Sequence, residues 1–531
     1  MTIYYSLEYK MKKLCLVVAV SAVVSSATYA GTQPYFNPLT QSSAVATPNQ
    51  INELNSPWQT PAGISQENLT SMAEIEADID QSTVRSAGLG TGASMWDMVA
   101  FDPTGKYIFI PHETLYGAGV TRYDIENDFA EVLFNGDSTG VRDSEGTWGN
   151  DFGAFDPATF TPFGTVLLGE EWSGEGRVIE VLNPMADPAD IEIQEKQSFA
   201  NVSQEGIRFG TVNENVVYYV DEDRSGSIYK LVASDAEFNQ GQTFVLSVDA
   251  FEGDAFERYD QVPNIGSTRT GQAAWVPMTD ADGNPLTATN PFENSATSRP
   301  GRIAADELGA TPYGRPEDVE VGTLANGNEV LYFAATSEAT IYSVEMTGDN
   351  TAIVREFASE TGTPKNVDFP ATTGVINSPD NLAQDAFGNI YIIEDAPNGG
   401  SVGGDIWFIR DADGNGVAES VDHFMSIQVD GAEATGMIFN PTKPTEFVVS
   451  VQHPDSTDLV SVPGGHGDAL WKFDVSGVVP PTCNPDSDKK GFSFANGRYI
   501  KTCSEDWDFS FSNVIERMER MLDLFADKKN K

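Results

Sequence analysis

Cysteine is nearly missing from this 531-residue chain: only Cys15, Cys483 and Cys503 occur. No CxxC pair or Cys/His zinc spacing exists, which excludes a thiolate zinc site. Histidine is almost as scarce, with His112, His423, His453 and His466, so a His-rich metal site is excluded too. Lys+Arg number 31 against 79 Asp+Glu, for a net charge of −48. Such a surface repels polyanions and argues against nucleic acid and anionic membrane as partners. There is no G-x-S-x-G elbow and no S-x-x-K arrangement to support a serine nucleophile. The glycine-rich run 399–404 lacks the strand-then-helix setting of a phosphate loop. Between about 95 and 478, sustained helical periodicity is also missing.

Near the start, Met11-Lys12-Lys13 precedes LCLVVAVSAVVSS and Ala27-Thr28-Tyr29-Ala30. A basic start, a short apolar run and small residues describe a secretory signal, with Met11 as the start and cleavage after Ala30. The run is too short to span a bilayer. Residues 1–30 therefore read as signal and the protein as periplasmic or extracellular. Cys15 leaves with the signal. Cys483 and Cys503 either pair in that oxidising compartment or remain two thiols.

Residues 31–90 are polar and read as an N-terminal arm, with a short helix expected within 66–80. Residues 91–479 are rich in Val, Ile, Tyr and Phe, punctuated by Gly, Pro, Asn and Asp turns, and read as all-β. Residues 480–531 form a C-terminal tail whose 513–527 (NVIERMERMLDLFAD) has apolar positions at the spacing of an amphipathic helix. Within the β region, apolar runs repeatedly end on an acid and then break: 108–113 (IFIPHE), 165–171 (TVLLGEE), 216–223 (VVYYVDED), 329–338 (EVLYFAATSE) and 389–395 (NIYIIED). A sixth, 446–453 (EFVVSVQH), ends on His453. Six such units predict a six-bladed β-propeller. The segments 251–304 and 358–375 read as loops between blades.

In a propeller, equivalent strand ends meet around one axis. Glu113, Glu170, Glu171, Glu222, Asp223, Glu338, Glu394 and Asp395 are candidates for that ring. Acids also recur just before strands, in Gln204-Glu205-Gly206, Arg315-Pro316-Glu317-Asp318, Ser378-Pro379-Asp380-Asn381 and Glu433-Ala434-Thr435-Gly436. Gathered carboxylates repel, and hard cations with oxygen ligands are the natural compensation. Arg315 stands out, because its planar fork matches phosphate or carboxylate. Its other reading is an ordinary salt bridge to Glu317 or Asp318. Asp411, Asp413 and Asn415, with Asp422 in the final place, resemble a calcium loop. Strands rather than helices flank it, so it reads as a hairpin calcium loop on a blade or as a plain acidic turn.

Several motifs in order resemble the PhoX-type alkaline phosphatases, secreted propellers with calcium and iron. They are Pro111-His112-Glu113, Thr161-Pro162-Phe163-Gly164-Thr165 with Gly169-Glu170-Glu171, Gln204-Glu205-Gly206 and Glu222-Asp223-Arg224. The series continues with Arg315-Pro316-Glu317, Ser378-Pro379-Asp380-Asn381, Glu394-Asp395, Glu433 and Val451-Gln452-His453-Pro454. The resemblance implies that Glu205, Glu317, Asp380, Asn381 and Glu433, with Glu170 and Glu171, are metal ligands. It implies that Arg315 holds the phosphate of a small phosphate monoester. Metals would polarise the phosphoryl oxygens and stabilise developing charge. Three departures stand beside it. Gly169 replaces the family's bridging cysteine, Gln204-Glu205 stands where His-Glu is expected, and the twin-arginine signal is missing. Losing a thiolate weakens the case for iron more than for Ca²⁺. Two other readings share the architecture: a noncatalytic calcium-binding propeller, and a metal-dependent lactonase or esterase.

Overall fold

The apolar runs become strands buried along nearly their whole length: Tyr107–Pro111, Val166–Glu170, Val216–Asp221, Glu329–Ala335, Ile390–Glu394 and Glu446–Gln452. Each is the second strand of an antiparallel set with neighbours on both edges and packed sheets on both faces. This is why they read as continuous hydrophobic runs rather than as alternation. The computed structural model describes residues 34–43, 54–79, 94–142, 147–172, 175–293, 299–395 and 404–478, plus the hairpin Phe492–Ala495 with Arg498–Lys501. The signal at 1–30, the helix expected at 513–527 and the Cys483–Cys503 pair lie outside these residues.

The architecture is all-β and propeller-like, with few helices. The six separate sheets expected from the repeats appear as five large ones. Four have four or five strands. The fifth has nine, in which the run from Gln204–Phe209 to Gly241–Val248 joins the run from Pro316–Thr323 to Thr351–Ser359. The joining strand is Gly271–Pro277, within 251–304, where the sequence pattern predicts a loop between blades. It pairs with both outer edges. The inner strands, which are edge strands of their sheets, neighbour one another in chain order. The last closes on the first: Gly436 lies so close to Asp97 and Met98 that a Cβ would sit 2.4 Å from the Asp97 carbonyl oxygen.

The N-terminal arm is part of the sheets. Ser65–Ser71 adds an outer strand to the last sheet by pairing with Ala469–Asp474, and Trp58–Gln59 pairs with Ser420–Ile427. The helix expected within 66–80 is confined to Met72–Asp78, capped by Ser71 Oγ accepting from Glu74 N at 3.3 Å. Strand pairing claims 65–71 because the open edge of the last sheet offers ladder hydrogen bonds there. Phe36 and Trp58 anchor the arm, with ring centroids 4.7 Å from Phe424 and 5.8 Å from Phe473. Burying each ring contributes roughly 2–3 kcal/mol. Among the described residues, no helix is long and apolar enough to cross a membrane.

Candidate metal centre

One local device recurs at the hub. In five inner strands the ladder register slips by one residue at the same place: Asp156-Pro157, Glu205-Gly206, Glu317-Asp318, Asp380-Asn381 and Thr435-Gly436. The extra residue is a β-bulge, which bends the strand and re-aims the side chain. Close packing at the bulge explains its small residues. A Cβ on Gly206 would lie 2.6 Å from Val319 N. Asp97 precedes the strand Ala100–Phe101 in the corresponding part of the first sheet.

The second strands deliver a further set. In each, the residue that ends the run (His112, Glu170, Asp221, Ala335 or Glu394) turns away from the hub and the following residue turns towards it. The backbone N–H of Glu113, Glu171, Glu222, Thr336 and Asp395 donates to Met95, Ala154, Ser203, Arg315 and Ser378 carbonyls respectively, at 2.7–3.1 Å. Four of these acceptors, Met95, Ala154, Arg315 and Ser378, hold positive φ of 46–56°. Non-glycine residues rarely adopt that conformation, so each of these four loops carries local strain of about 1–3 kcal/mol.

Seven carboxylates follow from this geometry. Asp97, Glu113 and Asp156 bring one oxygen each within 4.8 Å of one another; so do Asp156, Glu171 and Glu205, and so do Glu205, Glu317 and Asp380. The triads share Asp156 and Glu205, so they form one continuous chain of acids. Glu113 and Glu171 are half-buried at the mouth and the other five are buried. Burial pushes Asp97 up to about 7 and Glu113 up to about 8, with neighbouring carboxylates adding to both. Asp156, Glu171, Glu205, Glu317 and Asp380 are held well above the ordinary carboxyl range, by burial first and by neighbouring carboxylates next, Glu222 and Asp97 among them.

Lack of hydrogen-bond donors marks the same atoms. Asp156 Oδ1, Glu205 Oε2, Asp380 Oδ1, Asn381 Oδ1 and both Glu317 oxygens are buried without a hydrogen bond among the described residues. Glu317 Oε1 has only the Arg315 Nε ion pair at 3.3 Å. Buried oxygens are normally satisfied, and an all-oxygen donor set of this density fits hard cations such as Ca²⁺. The same geometry does not fit a thiolate-bridged centre. None of the described residues is cysteine, and a Cβ on Gly169 would lie 2.7 Å from Gln204 Cβ and 2.9 Å from Pro157 Cγ.

The predicted residues divide clearly. Glu171, Glu205, Glu317 and Asp380 come together. Asn381 sits beside them, its Nδ2 donating to Asp97 Oδ1 at 2.9 Å. Arg315 is at the mouth, ion-paired through Nε to Glu222 and Glu317. Glu433 lies at the rim, where its Oε2 is 2.6 Å from His453 Nε2. The bulge position in its strand belongs to Thr435. Burial opposes charge on His453, but the Glu433 hydrogen bond and charge outweigh it and hold the imidazole up at about 9.

Glu170 is a correction. It is fully buried in a two-bond ion pair with Arg177, at 2.6 and 2.7 Å, and accepts from Gly153 N. Asp221 and Glu394 occupy the same strand position in their sheets and are used alike, against Arg302 and against Trp407 Nε1. Asp223 pairs with Arg302 and Glu338 with Arg269. In the calcium-like loop, Asp411 and Asp413 converge with Glu419. Asn415 completes the turn through its N–H to Asp411 Oδ1 at 3.0 Å. Asp422 is not there, because it is paired bidentately with Arg410 at 2.6 and 2.8 Å. Sequence reasoning missed Asp97, Asp156 and Thr336. Asp97 and Asp156 carried a signal, standing just before a strand like Glu205 and Glu317. Thr336 carried none.

The alkaline phosphatase PhoX family model matches residues 129–455. The fold is similar to that of Pseudomonas fluorescens PhoX in complex with vanadate, at 16% identity over 83% of this chain and 98% of that one, with a TM-score of 0.56. At that identity the likeness speaks to the fold. Virginiamycin B lyase from Staphylococcus aureus is 9% identical over 79% and 99% of the two chains, with a TM-score of 0.37. The calcium-binding regucalcin of Agrobacterium tumefaciens is 10% identical over 72% and 90%, with a TM-score of 0.36. No curated protein matches the chain. The family match spans more than half of the sequence and includes five of the seven hub carboxylates, Asp156, Glu171, Glu205, Glu317 and Asp380; Asp97 and Glu113 precede it. This chain belongs to the PhoX family of alkaline phosphatases.

Proposed function

We propose that the protein is a secreted, calcium-dependent phosphatase that hydrolyses small phosphate monoesters at the hub. The observation that carries this is the chain of seven carboxylates, four of which (Asp156, Glu205, Glu317 and Asp380) have buried oxygens with no hydrogen bond among the described residues, with Arg315 at its edge. Asp97, Glu113, Asp156, Glu171, Glu205, Glu317 and Asp380 would hold the cations, with Asn381 Oδ1 as a neutral ligand. Bound cations supply charge neutralisation and polarise phosphoryl oxygens. We read the nine-stranded sheet as two blades joined through Gly271–Pro277, so that six blades surround the hub.

The chain's own residues orient the ester. Both ion pairs of Arg315 run through Nε at the base of its fork, and the Nη edge is the part that can hold two phosphoryl oxygens. Arg315 holds left-handed backbone in the loop that precedes the strand Pro316–Thr323. Glu222 and Glu317 fix the guanidinium before substrate arrives, which reduces the ordering cost on binding. His453, protonated against Glu433, adds positive charge at the rim. Thr336 Oγ1 is buried without a hydrogen bond at the strand position that elsewhere carries a hub acid, and it can donate to an oxygen there.

The test is turnover of a chromogenic phosphomonoester with added Ca²⁺, with and without chelator, across neutral to alkaline pH. Metal content is measured on the same protein. Chelator-sensitive release of phosphate is expected. Calcium binding with no turnover would leave the noncatalytic propeller as the reading, and turnover of lactones alone would leave the lactonase.

A further inference from the structure

We propose that the rim between the first two sheets is a subsite for a planar aromatic ring. Its role as the binding place for the ester's organic part rests on the phosphatase reading. Three aromatic rings pack there: Tyr116 lies 5.8 Å from Trp148 and 6.0 Å from Trp172, and the two indoles are 4.4 Å apart. Trp172 is fixed at both ends. Its Nε1 donates to the Leu115 carbonyl at 3.0 Å, and its ring covers Gly153 so closely that a Cβ there would lie 2.0 Å from it. Trp148 is fixed by Nε1 donating to Glu175 at 3.3 Å. The Arg142 guanidinium lies 4.5 Å from its ring and pairs with the same Glu175.

The cluster borders the carboxylates. Tyr116 is three residues past Glu113, and Trp172 directly follows Glu171. Ala154 N donates to Thr114 O at 2.5 Å while Ala154 O accepts from Glu171 N at 2.7 Å, so one short backbone ladder joins the rings to the hub. Trp172 is nearly buried, but Tyr116 remains 36% exposed beside Leu115 at 51%. A rigid aromatic wall with one ring open beside a polar, anionic mouth offers a face on which a planar group can stack. A substrate whose phosphate enters the hub carries its organic group past this wall. A flat π-face stacks on Tyr and Trp whatever its edge groups, so the favoured class is phosphate esters bearing a heteroaromatic ring, such as nucleotides. Polyol phosphates offer no such face.

Adenosine 5′-monophosphate and ribose 5-phosphate test this directly, because both release a primary alcohol and the second has an anomeric hydroxyl where the first has the base. The ratio of their kcat/KM values is expected to favour the nucleotide. It should fall about tenfold in Tyr116→Ala and in Trp148→Ala, and be retained in Tyr116→Phe. A ratio that is the same in wild type and both alanine variants overturns the subsite. Adenosine alone gives a readout without turnover, through saturable quenching of tryptophan fluorescence that ribose does not cause. If neither ester is hydrolysed, the phosphatase reading fails while quenching still judges the subsite. No quenching of the wild type by adenosine refutes it.

Discussion

Glu205, like Asp156, belongs to two of the hub triads, so Glu205→Gln probes the centre from both sides of its cation equilibrium. Without cations, Glu205 faces Asp156, Glu171, Glu317 and Asp380, each offering an oxygen within 4.8 Å. Two unit charges at that distance repel by about 3.5 kcal/mol at an effective dielectric of about 20. Protonation limits the strain: near pH 8, neutralising a carboxyl of ordinary pKa costs about 5 kcal/mol. Removing the charge should therefore stabilise the cation-free protein by about 3–5 kcal/mol at most. With calcium the sign reverses. A lost ligand that weakens each of two sites about tenfold to a hundredfold removes about 3–5 kcal/mol of ligand-linked stability. The assay is denaturant unfolding near pH 8, in chelator and in saturating calcium, for both proteins. Glu205→Gln should be the more stable in chelator and the less stable in calcium. A variant less stable than wild type in both conditions would refute a cation-compensated acid cluster and mark Glu205 as an ordinary buried residue.

Three further expectations follow from the same geometry. Arg315→Lys keeps the charge but loses the fork, so kcat/KM for a phosphomonoester should fall about a hundredfold while calcium content holds; an unchanged kcat/KM would place Arg315 in a structural salt bridge. Glu170→Gln breaks a buried ion pair with Arg177 and should cost about 3 kcal/mol of stability with metal content unaffected, whereas Glu171→Gln should lower metal content; metal loss in the first would restore Glu170 to the ligand set. Without cations, Asp97 and Glu113 are raised to about 7 and about 8, mainly by burial. The folded state then holds protons that the unfolded chain releases near pH 4, so this stability is complete below about pH 4 and lost as pH rises through about 8. The melting temperature in chelator should fall across that window and the curve in calcium should be flatter; parallel curves would separate these carboxyls from the cation.

Much of the centre was legible because the strand-ending acids and the acids just before strands are spaced regularly along the chain. Glu171, Glu205, Glu317 and Asp380 were found that way. What the pattern could not resolve was direction. In Glu170-Glu171 both residues look alike in sequence, yet Glu170 meets Arg177 and Glu171 meets the hub, because successive strand residues point to opposite sides. The bulge reverses that rule for one step, so Asp156 before Pro157 and Glu205 before Gly206 project inward from places a regular ladder would give to other residues. Asp422 stood at the right spacing for a calcium loop, but a strand carried it to Arg410 and the turn brought Glu419 instead.

The amino-acid sequence by itself determined the β architecture, the acidic surface and the supply of oxygen ligands, since these rest on local pattern and composition. Tertiary structure alone decided which acids meet, that Gln204 and Pro157 fill the space beside Gly169, and that Tyr116, Trp148 and Trp172 form one wall. The reason is distance along the chain: the hub residues span from 97 to 380, and only the closing of sheets around one axis brings them within 4.8 Å in triads.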